Sequence, residues 1–160
     1  MRCVFRPDRS FCDMTTDALA AFDKIARLGY GGRNTVLFAE GRPVRGVYIL
    51  CDGRAKLSIC SETGRRLTLR IAGPGEVLGL GAALSNTPYE ITAELLDKSQ
   101  VAFIRRKDLV RFLRERPLLC MDVVRMLSQD LHGAYQRVRS IGPVRTRHAR
   151  IVFRSRPVLV

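Results

Sequence analysis

From Asn34 to Ile104 the chain is a succession of short apolar runs cut by turn residues, a pattern few folds can accommodate. The runs are Val36-Leu37-Phe38, Gly46-Val47-Tyr48-Ile49-Leu50, Lys56-Leu57-Ser58-Ile59, Leu67 to Ile71, Tyr89 to Leu95 and Gln100 to Ile104. Between them lie Glu40-Gly41-Arg42-Pro43, Asp52-Gly53, Thr63-Gly64 and Gly73-Pro74-Gly75. Leu67, Leu69 and Ile71 alternate with Arg66, Thr68 and Arg70, the period of a strand with one wet face. Asp52-Gly53 is a strong hairpin signal. Many short strands at near-regular spacing predict a β-roll, barrel or sandwich.

Helical periods flank this block. Thr15-Thr16-Asp17 supplies an N-cap and an acidic first turn, Leu19, Phe22, Ile25 and Ala26 follow at helical spacing, and Gly29 ends the run. A short amphipathic helix is expected over 16–28. After Ile104, Leu109, Phe112 and Leu113 mark a second short helix, and Pro117 suits the first turn of a third. That third helix carries Cys120, Val124, Leu127, Leu131, Ala134, Val138 and Ile141, separated by 4, 3, 4, 3, 4 and 3 residues. A helix packed on its own domain shows a wider face drifting with the 3.6 period. A strict 3.5 period points instead to a two-helix seam between subunits. Met121 and Tyr135 lie off the seam and are expected against the β domain, with His132 at the surface beside it. Gly142-Pro143 ends the helix. The organisation expected is an extension over 1–14, a β domain over 15–115, a dimerisation helix over 116–142 and a basic tail over 143–160.

Composition narrows the function classes. The formal charge of +13 favours contact with nucleic acid or another anionic surface, without naming it. The tail carries Arg145, Arg147, Arg150, Arg154 and Arg156 and no acid. Lacking a helical period, it is read as solvated and disordered. No apolar run approaches a membrane span and no signal peptide is evident, so a cytoplasmic protein is expected. The five cysteines are odd in number and form no CxxC pair, which argues against a disulfide framework or a zinc ribbon. His132 and His148 are too few and too distant for a metal enzyme.

Several stretches together resemble the Crp/Fnr family of bacterial transcription regulators. Leu37-Phe38-Ala39-Glu40-Gly41 is similar to the start of the family's roll. Gly46-Val47-Tyr48-Ile49-Leu50-Cys51-Asp52-Gly53-Arg54-Ala55-Lys56-Leu57 resembles its next hairpin, and Gly73-Pro74-Gly75-Glu76-Val77-Leu78-Gly79 the opening of its ligand cassette. Phe103-Ile104-Arg105-Arg106-Lys107-Asp108 resembles the last strand and the following helix start. The resemblance covers roughly residues 11–142. It implies an antiparallel β-roll of the cyclic-nucleotide-binding type, with a short N-terminal helix and a long C-terminal dimerisation helix. It also implies a signal bound at the roll and passed through the dimer helix to a DNA-binding helix-turn-helix.

The departures from the family are as informative. Its cyclic-nucleotide binders place a glutamate on the ribose and an arginine on the phosphate. Here Leu80 stands at the glutamate's place, and no arginine occurs between Arg70 and Arg105. A buried phosphate without its cation binds weakly, so cyclic AMP is not the expected ligand. The candidate pocket is Gly79, Leu80, Gly81, Ser85, Thr87 and Tyr89, with backbone N–H groups and the two hydroxyls as donors. The Fnr branch holds an iron–sulfur cluster with clustered cysteines. Here Cys51 and Cys60 fall in strands and are read as small apolar residues, so no cluster is expected. No certain cofactor or metal follows.

The residues after Gly142 are too few for a helix-turn-helix. Arg145, Arg147 and Arg150 can make non-specific phosphate contacts, but sequence-specific recognition requires a helix-turn-helix supplied elsewhere. The leading expectation is a sensor and homodimerisation module, not an enzyme. The alternatives are a stand-alone interaction module forming mixed dimers with full-length regulators, and a cupin-like enzyme, disfavoured because the roll contains no histidine.

Overall fold

The computed structural model describes residues 16–140. Ile141, Arg145, Arg147 and Arg150, with the N-terminal extension and the basic tail, lie outside that range. Helix α1 (Thr16–Ile25) leads into β1 (Ala26–Gly31), β2 (Val36–Phe38), β3 (Gly46–Asp52), β4 (Ala55–Cys60), β5 (Arg66–Ala72) and β6 (Val77–Leu78). Helix α2 (Leu80–Ser85) interrupts the strands before β7 (Thr92–Leu95) and β8 (Ser99–Arg105), and α3 (Arg106–Arg114) and α4 (Pro117–Ser140) follow. The strands form two four-stranded antiparallel sheets, β1-β8-β3-β6 and β2-β7-β4-β5, faced to make a roll.

Three expectations are corrected. The first helix stops at Ile25, because Ala26 to Gly31 pair with β8 from Ala26↔Ile104 to Gly31↔Ser99. A ladder to an open strand edge satisfies this backbone in place of a further helical turn. Second, Asp52-Gly53 does not close a hairpin. β3 pairs with β6 and β8 while β4 pairs with β5 and β7, so this turn carries the chain from one sheet to the other. Gly53 sits at φ 87°, and a Cβ there would lie 2.0 Å from Ser99 Oγ. The hairpin is at Thr63-Gly64, where Ser61 N–H donates to Arg65 O over 2.8 Å and Gly64 N–H to Ser61 O over 2.9 Å.

Third, the alternation in β5 does not put its three aliphatics on one dry face. Leu57 faces Arg70 but Ser58 faces Thr68, so Leu69 is an extra residue in the ladder. Such a bulge flips the faces on either side of it. Leu67 and Ile71 are left 55% and 47% exposed, and Arg70 is half-buried.

The core is divided by the sheet containing β3 and β8. Inside the roll, Leu50, Leu57, Leu78, Leu95 and Val101 pack around Phe38 and Tyr89. On the other side Val47, Ile49 and Ile104 meet Phe22 of α1, Leu80 of α2, Leu109 and Phe112 of α3, and Leu119 and Val123 of α4. Phe22 and Phe112 meet edge to face at 5.7 Å. Strict alternation lets one strand serve both cores: Val47 and Ile49 face the helices, Tyr48 and Leu50 the roll.

Close approach also makes Gly46 irreplaceable, since a Cβ there would lie 2.0 Å from the carbonyl oxygen of Ile104. Gly46→Ala is expected to lose more than about 2 kcal/mol in denaturant unfolding, because backbone cannot step aside. Gly32→Ala, with nothing within 4 Å of its Cβ, should stay within about 0.5 kcal/mol.

Candidate functional site

The cassette that would hold a ligand begins where β6 ends. Gly79, at φ 82°, turns the chain into α2, and a Cβ on it would lie 2.9 Å from the Tyr89 ring. The helix is one and a half turns long. Ala83 N–H donates to Gly79 O over 3.0 Å, and Asn86 closes the helix in the left-handed conformation.

The structure separates the six residues predicted to line one pocket. Leu80 is 4% exposed and belongs to the helix-side core, beside Phe22 and Phe112, away from the roll interior. Ser85 and Thr87 are exposed; Ser85 Oγ donates to Gly81 O over 2.7 Å and lies 2.8 Å from Thr87 Oγ1. Tyr89 is buried inside the roll and stacks on Phe38 at 4.2 Å. Its hydroxyl donates to Gly46 O over 2.8 Å and accepts from the N–H groups of Arg45 and Gly46, each over 3.3 Å. It thus ties the cassette to the start of β3. Tyr48 packs beside Phe38, and burial, then the neighbouring Tyr89, push its hydroxyl above the usual tyrosine range, partly offset by Arg45.

The arginine that precedes the cassette points elsewhere. Arg70 pairs with Glu76 and reaches Asp130 of α4 over 3.5 Å. Glu76 also accepts the Gly73 N–H over 2.8 Å. One guanidinium therefore joins β5, the β5–β6 turn and the long helix. Loss of hydration raises the Asp130 carboxyl above its ordinary value; Arg70 and Arg137 oppose this and Glu76 reinforces it. The raised value means that Asp130 contributes less to stability as pH rises through it. Residues 60 apart in the chain give no linear signal of this link.

Helix α4 has two apolar faces. Leu119 and Val123 are buried in the domain's own core, with Met126 and Leu127 packed against it. Val124, Leu131 and Val138 are 52%, 52% and 67% exposed, and Met121 and Tyr135 stand exposed beside them. Two expectations change here. Met121 and Tyr135 do not pack on the roll, and Leu127, read as a seam residue, leans on its own domain. Cys120 is exposed and Ala134 half-buried. The free row is the heptad set 124, 131 and 138, flanked by 121 and 135.

Cys60 and Cys120 carry free thiols, whereas Cys51 is disulfide-bonded and packs, half-buried, against the helix-side core. Among the described residues no group of three or more His, Cys, Asp or Glu converges as a metal site, and no helix is long and apolar enough to cross a membrane.

The sequence pattern of the cyclic nucleotide-binding domain matches residues 32–116, which span β2 to β8, α2 and α3. The chain belongs to the cyclic nucleotide-binding domain family. It has Crp/Fnr-type relatives among transcription regulators. It is 26% identical over 121 residues to the CRP-like cAMP-activated global transcriptional regulator of Mycobacterium tuberculosis, covering 76% of this chain and 54% of that protein. It is 24% identical over 110 residues to the Anaerobic regulatory protein of Bacillus subtilis, covering 68% and 46%. The chain thus spans about half the length of these curated relatives. The fold is that of the Thermus thermophilus catabolite activator protein (TM-score 0.73, 18% identity, 82% of this chain and 62% of that one). A cyclic nucleotide-binding domain from Methylobacillus flagellatus shares it too (TM-score 0.75, 16% identity, 84% and 78%). The predicted β-roll with a short leading helix and a long closing helix is therefore the fold of this cyclic nucleotide-binding domain.

Tyr89→Phe removes one hydroxyl that serves three backbone groups. It should lower stability by about 1–3 kcal/mol, read from the unfolding midpoint, because the Gly46 backbone is buried and loses its partner.

Proposed function

We propose that this chain is the sensor and dimerisation module of a Crp/Fnr-type transcription regulator, working by binding and not by catalysis, in the cytoplasm. The observation that carries the reading is the division of α4. One face is buried in its own domain, and the exposed row Val124, Leu131 and Val138 repeats every seven residues. Such a row buries itself best against a parallel copy of the same helix, so the proposed partner is a second copy of this chain. Promoter recognition in this reading needs a helix-turn-helix that the described residues do not contain. The route from roll to helix is the Arg70–Glu76–Asp130 link, together with the packing of Leu119 and Val123.

The proposed signal is not cyclic AMP held in the family's usual way. Leu80 is committed to the helix-side core and the Tyr89 hydroxyl to Gly46, so neither supplies polar contact to a sugar or a phosphate. Ser85 and Thr87 remain at the surface, where their hydroxyl oxygens can still accept, and the surface around them is where we place an entering effector.

The test of the module is its mass in solution. Val124→Lys with Leu131→Lys should convert a dimer to a monomer that melts within a few degrees of the parent domain, since both side chains are already outside the domain core. A parent chain that sediments as a monomer, or a double variant that stays dimeric, would contradict the seam. For the signal, millimolar cyclic AMP should leave the melting temperature unchanged. A rise of several degrees would show binding to the folded state and overturn this part of the reading.

A further inference from the structure

The exposed face of α3 carries a row of cations, with two more at its N-terminal end, that the proposed function does not use. Arg106 N–H donates to Arg45 O over 2.9 Å and Gly46 pairs with Arg105, so the backbone of Arg45 and Arg105 lies within one ladder step of the start of α3. Along α3, Lys107, Arg111 and Arg114 follow at i, i+4 and i+7, on the side opposite the buried Leu109, Phe112 and Leu113. All five cations are exposed. Arg111 pairs with Asp108 over 3.2 Å. Arg45, Arg105, Lys107 and Arg114 have no acidic partner within ion-pair distance among the described residues. From 105 to 114 no large apolar side chain is exposed.

We propose that this ridge is a contact surface for the phosphate backbone of duplex nucleic acid, carried by the sensor domain itself. A protein partner would be expected to find an aromatic or aliphatic anchor, because binding energy at protein interfaces concentrates in such residues. A phosphate backbone asks only for cations in a row. Lys107 to Arg114 span about 10 Å of helix axis, the rise of about three nucleotides of one strand. The partner is recognised by charge alone, so the contact is independent of sequence and adds affinity to any duplex held elsewhere by the assembly. It rests neither on the α4 seam nor on the identity of the signal.

The test uses the full chain and a random-sequence DNA duplex of some two helical turns, followed by fluorescence anisotropy across a salt series. The ridge variant is Arg105→Gln, Lys107→Gln and Arg114→Gln; the tail variant is Arg145→Gln, Arg147→Gln and Arg150→Gln. Both replace exposed or terminal charges, and a thermal melt checks that each folds. The ridge variant is expected to lower the slope of log K against log salt by about 2 to 3, at roughly 0.9 for each phosphate no longer neutralised. The same drop should appear in the tail-variant background. An unchanged slope in the ridge variant, with binding abolished by the tail variant alone, would overturn the proposal. Competition by poly-glutamate at equal charge concentration, as strong as by duplex and absent in the ridge variant, would also overturn it, in favour of an acidic protein partner.

Discussion

A helix can bury a given face only once, and that constraint on α4 organises the rest of the molecule. Leu119 and Val123 are withdrawn into the helix-side core, each contributing on the order of 1.5–3 kcal/mol of apolar burial. Their side of the helix is then no longer available to any partner. What remains is the row through Val124, Leu131 and Val138. The heptad written in the sequence is thus divided between the domain's own core and an exposed row. Its Leu127 position turns toward the domain, and Met121 and Tyr135 take the other flank of the exposed row. Leu119 and Val123 attach the first half of α4 to the domain. The Arg70–Asp130 contact lies where the two halves meet.

The roll keeps the architecture of the cyclic nucleotide-binding domain. Gly79 still turns the chain, and α2 still follows. Leu80 belongs to the helix-side core with Phe22, and Tyr89 stacks on Phe38 and fastens the cassette to Gly46.

Much of this fold was legible in the sequence, for definable reasons. Six of the eight strands were marked by apolar runs between glycine turns, and α3 and α4 by their spacing. Residues 26–28 continue the helical spacing that includes Ala26; only β8, some seventy residues later, decides for a strand. The bulge at Leu69 is invisible locally, since it depends on the register against β4. Asp52-Gly53 has the composition of a hairpin turn, but whether the next strand stays in the same sheet is a tertiary matter. The candidate pocket was read less well than the fold. Linear spacing put Leu80 and Tyr89 together, whereas the short helix α2 sends them into different cores.

The most direct measurement of the central claim is oxidative cross-linking across the exposed row of α4. In a background with all five native cysteines (Cys3, Cys12, Cys51, Cys60 and Cys120) replaced by serine, Val138→Cys places a thiol at a seam position, and Gln129→Cys places one off the row on the same exposed helix. A parallel two-helix seam brings symmetry-related seam positions within disulfide reach. The account predicts a rapid, reducible covalent dimer from Val138→Cys and little from Gln129→Cys. Equal cross-linking at both sites, or none at either, would contradict the assignment of this face to a second copy of the chain.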